Sequence, residues 1–105
     1  MDTVAKLQSR LMNRTGLDQT VIPPIECEDG FGVSVQASPY HYCSPRSNCG
    51  PWFTVECGFP THPMPELAEY CQSGGDALTD TKTVWAEVPI EAIAAVLDSH
   101  GGIKE

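Results

Sequence analysis

The chain is 105 residues long, with 41% hydrophobic and 19% charged residues. That is the size of one domain, and the composition excludes a wholly disordered chain. Fourteen acids against six bases leave a net charge of −8, which disfavours bulk nucleic acid and anionic lipid as partners and favours basic ones.

The opening MDTVAKLQSR lacks the apolar centre of a signal peptide, and no run reaches the length of a membrane span. A cytoplasmic location with no membrane contact is therefore expected. Five cysteines, Cys27, Cys43, Cys49, Cys57 and Cys71, point to free thiols, because the number is odd and no secretion signal precedes them. A bridge between Cys43 and Cys49 stays sterically open.

A helix is predicted over 2–14, capped by Asp2 or Thr3 and stopped by Gly16. Val4, Leu7 and Leu11 form its apolar stripe, and Lys6, Arg10 and Arg14 a basic one. Three of the six bases thus fall in the first 14 residues, beside a single acid. The basic stripe is either a solvated face or a contact for phosphate or an acidic partner. Residues 17–30 contain Pro23-Pro24, which forbid a helix, and read as a linker ending in the turn Asp29-Gly30.

Phe31, Val33, Val35 and Ala37 alternate with Gly32, Ser34 and Gln36, as in a half-buried strand. A long loop follows over 38–51. A second strand has Phe53, Val55, Cys57 and Phe59 facing one way and Trp52, Thr54, Glu56 and Gly58 the other. Pro65 opens a short helix over 65–71, and residues 73–76 form a connection. The third strand covers 82–88, with Val84, Ala86 and Val88 on one side and Thr83, Trp85 and Glu87 on the other. The last helix starts at Pro89, turns Ile90, Ile93, Ala94 and Leu97 inward, and stops at Gly101-Gly102.

The assembly expected is one α+β domain over 1–105: an N-terminal helix over 1–16, the linker over 17–30, and a core over 31–102. In that core a small three-stranded antiparallel sheet carries helices on one face, as a two-layer sandwich. The other sheet face then holds Ser34, Gln36, Trp52, Thr54, Glu56, Trp85 and Glu87. Either a loop folds over the two tryptophans, or they are a partner or homodimer surface, since Trp is enriched at interface hot spots. A register slip of one residue would turn both rings inward. Tyr40, His41, Tyr42 and Arg46 are interface-type residues in a loop stiffened by prolines, and complete the expected partner-binding set.

Cys43, Cys49, Cys57 and His62 are weak candidates for a zinc site, because their spacings lack a C-x2-C knuckle. Cys43 with His41 lacks an orienting group, and no phosphate-binding loop is present. No catalytic residue and no cofactor is expected.

The strings DGFGVSVQAS, HYCSPR, GPWFTVECGFP and VPIEAIAAVLDSHGG resemble a set of small proteins encoded by tailed phages and prophages. The resemblance spans residues 29–102 and its shared cysteine corresponds to Cys43; it transfers no catalytic residue. It implies an infected bacterial cell and a non-structural accessory role. The function expected is a non-enzymatic binder of a host protein with a basic nucleic-acid-binding surface, such as a nuclease or defence effector. The alternatives are a regulatory or assembly protein touching nucleic acid through Lys6, Arg10 and Arg14, or a zinc-stabilised module.

Overall fold

Asp2 stands in extended conformation before Thr3, and its carboxylate accepts the Ala5 N–H at 2.8 Å. That bond satisfies one of the donors a helix start leaves open, and α1 runs over Thr3–Met12. The computed structural model describes residues 2–13, 22–47, 49–71 and 84–104. Arg14, the expected stop at Gly16, the connection at 73–76 and the expected strand start at Lys82 and Thr83 lie outside the described residues.

Four strands are described: β1 Ile25–Glu26, β2 Gly32–Gln36, β3 Thr54–Gly58 and β4 Val84–Pro89. A 3-10 helix over Pro65–Tyr70, kinked at Leu67, stands between β3 and β4 in the chain, and α2, Ile90–Ser99, follows β4 directly. The sheet is antiparallel in the order β1-β2-β3-β4. The α+β class is as expected, but the sheet has four strands instead of three. The added strand, β1, falls inside the segment read as a linker. Two residues are too few to show any alternation, so sequence periodicity carries no trace of it.

The tail closes the outer edge of β1. Cys27 bridges to Ile103, the Lys104 N–H donates to Glu26 O at 2.8 Å, and the Glu28 N–H donates to Gly102 O at 3.0 Å. The chain turns back to this edge because Gly101 and Gly102 adopt φ of +91° and +87°, a region that suits residues without a Cβ.

Register decides the core. Ile25 lies opposite Val33, Val35 opposite Cys57, Cys57 opposite Trp85, and Val55 opposite Val88. Opposed residues share a face, and all of these are buried. They join Leu7 and Leu11 of α1 and Ile90, Ile93, Val96 and Leu97 of α2 in one cluster. The Thr3 hydroxyl donates to the Asp98 carboxylate, which sets the start of α1 beside the end of α2.

Trp52 and Trp85, expected on the open face, are instead 1% and 0% exposed. For Trp85 the cause is a bulge. From Cys57 to Val55 β3 steps two residues, while β4 steps three, from Trp85 to Val88. Glu87, at φ +53°, absorbs the extra residue, so Trp85 and Val88 face the same way. For Trp52 the cause is where the ladder starts. β3 begins at Thr54, so alternation does not extend back to position 52, and Phe53 projects outward at 69% exposure. Phe59, expected inward, follows the end of β3 at φ +51° and is 63% exposed.

Candidate functional site

The loop over 38–51 is built on its own polar groups. Ser38 is fully buried; its Oγ accepts the Tyr40 N–H at 3.1 Å and lies 2.6 Å from His41 Nδ1. The His41 N–H donates to Ser38 O at 3.2 Å, closing a tight turn that throws Tyr40 outward to 82% exposure. Beneath it the Cys43 thiol donates to Ser38 O at 3.2 Å and to Pro45 O at 3.4 Å. Burial pushes this thiol above its ordinary range, and the nearby Glu87 and Glu56 add to the rise, against opposing effects of the Ser38 bond and Arg46. A thiol held protonated is the opposite of what a nucleophile needs, and His41 points its Nδ1 at Ser38 rather than at Cys43.

The loop is fastened to the outer face of β3 and β4 by Tyr42. Its N–H donates to Glu56 Oε2 at 3.0 Å, and its carbonyl accepts the Glu87 N–H at 3.0 Å. The bulge therefore has a second consequence: it aims the Glu87 amide out of the ladder, and the loop satisfies it. Glu87 Oε2 accepts from the Thr54 hydroxyl at 3.0 Å, which ties the two strands together on that face. The Arg46 guanidinium lies 5.3 Å from the centre of the Tyr42 ring, in a cation–π contact. Phe53 joins the loop through its N–H, which donates to Ser44 O at 2.8 Å.

Six of the expected partner-binding residues, Tyr40, His41, Tyr42, Arg46, Glu56 and Glu87, are thus gathered on one surface. Trp52 and Trp85 are withdrawn from it by burial and serve the core. Phe53 was missed, because alternation assigned it inward. The surface carries exposed aromatic area beside two carboxylates and one guanidinium.

The zinc candidates are scattered. Cys57 is on the inner sheet face, where burial raises its thiol. Cys43 lies under the loop, Cys49 is exposed, and His62 sits by Phe31, with ring centres 6.3 Å apart. Among the described residues, no group of three or more His, Cys, Asp or Glu is placed to hold a metal ion.

A pair that sequence reading did not single out closes the opposite end of the sheet. His100 Nδ1 donates to Asp29 Oδ2 at 2.7 Å, and its ring stacks on Phe31 at 4.1 Å and 7°. This contact locks the β1–β2 turn to the end of α2. On α1, Arg10 donates to the Lys104 carbonyl at 3.2 Å, which fastens the tail to the helix. No described helix is long and apolar enough to cross a membrane. No protein-family model matches the chain, and neither the curated proteins nor the solved structures yield a match.

Proposed function

We propose that this chain is a non-enzymatic accessory protein of phage-infected bacteria that binds a host protein and inhibits it. The target class is a nuclease or defence effector, as for an anti-CRISPR, and the mode is occlusion of a basic nucleic-acid-binding surface. The observation that carries this reading is the seating of Tyr42 between Glu56 and Glu87. It fixes exposed aromatic rings and two carboxylates on a rigid sheet, so little ordering cost falls on the binding step. The net charge of −8 steers such a face toward a cationic channel and raises the association rate.

The working surface is Tyr40, His41, Tyr42, Arg46, Glu56 and Glu87, extended by Phe53. The test is capture of basic nucleic-acid-binding proteins from host lysate by the wild-type chain and by Tyr42→Ala and Glu56→Gln variants. Capture of a nuclease or effector that is displaced by added DNA, weakens at high salt and is lost in both variants supports the proposal. Capture unaffected by either substitution, or no such protein at low salt, overturns it. Contact with nucleic acid through Lys6 and Arg10 is the weaker reading, because the surrounding charge opposes it.

A further inference from the structure

Glu56 and Glu87 are each anchored through one oxygen. Glu56 Oε2 accepts the Tyr42 N–H and Glu87 Oε2 accepts the Thr54 hydroxyl, both at 3.0 Å. Thr54 and Glu56 are neighbours on the outer face of β3, about 7 Å apart along the strand, so both carboxylates stand over the same stretch of sheet. Among the described residues, no cation pairs with either of them.

A guanidinium is nevertheless present. Arg46 lies 5.3 Å from the centre of the Tyr42 ring, which is itself half exposed, and it does not pair with the glutamates. After burial and the Ser38 bond, Glu87, Arg46 and Glu56 all act on the Cys43 thiol, so the three charges are grouped about one point. Two acids and one base leave a negative charge uncompensated there. Arg46 is an internal example of the group this face holds: a guanidinium on an exposed ring, beside two carboxylates with an oxygen to spare.

Resting on the proposed contact with a basic protein surface, we propose that the partner residue received by this face is an arginine. Its guanidinium donates to Glu56 and Glu87 and lies on the Tyr42 ring in the place that Arg46 holds in the free chain. Three properties select arginine over lysine. A guanidinium carries donors along a planar fork and so meets two separate carboxylates, whereas an ammonium is a compact point charge. It is more weakly hydrated, so it leaves water at a lower cost. It stacks on an aromatic face, as Arg46 does here. An exposed cation–π contact is weak, so Arg46 gives up its place readily.

The experiment is titration of the full chain with hexa-arginine amide and with hexa-lysine amide at low salt, followed by the Tyr42 amide resonance. The two peptides carry the same charge, so a face that acts by charge alone binds them alike. Saturable shifts are expected, with hexa-arginine bound about tenfold more tightly. Glu56→Gln and Glu87→Gln keep the acceptors for Tyr42 and Thr54, and each is expected to weaken hexa-arginine about fivefold. Glu66→Gln removes the same charge from an exposed side chain beside α2 and is expected to change affinity by less than about twofold. Arg46→Lys keeps the charge and removes the resident guanidinium, so it is expected to bind hexa-arginine at least as tightly as the wild type. Equal affinity for the two peptides, equal losses in Glu56→Gln and Glu66→Gln, or weaker binding in Arg46→Lys overturns the assignment. Capture of a host nuclease without any preference for arginine sinks this inference and leaves the proposed function standing; the preference without such a capture does the reverse.

Discussion

The side-chain amide of Gln8 brackets the peptide groups of Trp52: its Oε1 accepts the Trp52 N–H at 3.0 Å and its Nε2 donates to Trp52 O at 2.8 Å. The two residues are 44 positions apart, and the pair fastens α1 to the segment that leads into β3. The indole of the same residue donates to Ser47 O at 3.0 Å, so Trp52 is anchored at backbone and ring alike. Replacing Gln8 with Ala leaves a half-buried donor and acceptor without that partner. The expected cost is about 1–3 kcal/mol, read by urea denaturation. Gln8→Glu keeps an acceptor but sets a carboxylate against the Trp52 carbonyl. It is expected to destabilise at neutral pH at least as much as Ala, and less in acid, where the carboxyl regains a donor. A Gln8→Ala chain with wild-type stability would show that the bracket contributes nothing.

Trp85 makes an instructive contrast. It is fully buried, yet its Nε1 has no hydrogen-bond partner among the described residues. Trp85→Ala is expected to cost roughly 3–5 kcal/mol through the cavity it opens. Trp85→Phe removes a donor that bonds none of the described residues, whereas Trp52→Phe deletes the bond to Ser47. Trp52→Phe is therefore expected to be the more damaging ring substitution, by about 1 kcal/mol. Thermal or urea melts of the two variants side by side decide it; the reverse order would contradict the assignment of these two indoles.

Much of this architecture was readable from residue pattern. Val33 and Val35 alternate cleanly, as do Val55 and Cys57, and the β2–β3 ladder that joins them has no irregularity, so their inward placement followed from period two. The outward placement of Ser34, Thr54 and Glu56 followed for the same reason; Glu87 also faces outward, but it sits in the bulge. Trp85 escaped because a bulge shifts parity, and the residue that takes the left-handed conformation is Glu87, not the Gly or Asn that would have marked it. Trp52 escaped because its alternation is with residues of a strand that starts only at Thr54. At the candidate site, composition alone picked out Tyr40, Tyr42 and Arg46. The way Tyr42 joins them to Glu56 and Glu87 was not legible, since it uses backbone groups, which every residue possesses.

The conformation of Glu87 yields a second contrast. A β-branched residue at positive φ is strained, by about 1–2 kcal/mol, while Gly accepts it freely. Glu87→Val is expected to be less stable than Glu87→Gly by about that amount, although both lose the bond to Thr54. Such an order reverses the usual preference of strands for Val over Gly. Chemical denaturation measures it directly, and Val more stable than Gly would mean that the bulge does not persist in solution. Because Glu87→Gly retains the backbone while removing the carboxylate, it also separates the charge of this face from its shape in any binding assay.

The Asp29–His100 contact links stability to pH. The carboxyl of Asp29 is held below its ordinary value of 3.8, first by the Phe31 N–H that donates to Oδ1 at 2.9 Å, then by the bond from His100. A depressed carboxyl contributes stability that is present above the unfolded value and lost as pH falls through the folded one. The contribution of Asp29 is therefore complete at neutral pH and disappears below about pH 4. Asp29→Asn still offers an acceptor to Phe31 but does not titrate. Its stability is expected to be lower than that of the wild type at neutral pH, with the gap closing as the solution is acidified from about pH 5 to about pH 2. The measurement is urea denaturation of both chains across that range. A gap that is constant with pH would show that the carboxylate charge of Asp29 does not take part in clamping the β1–β2 turn to α2.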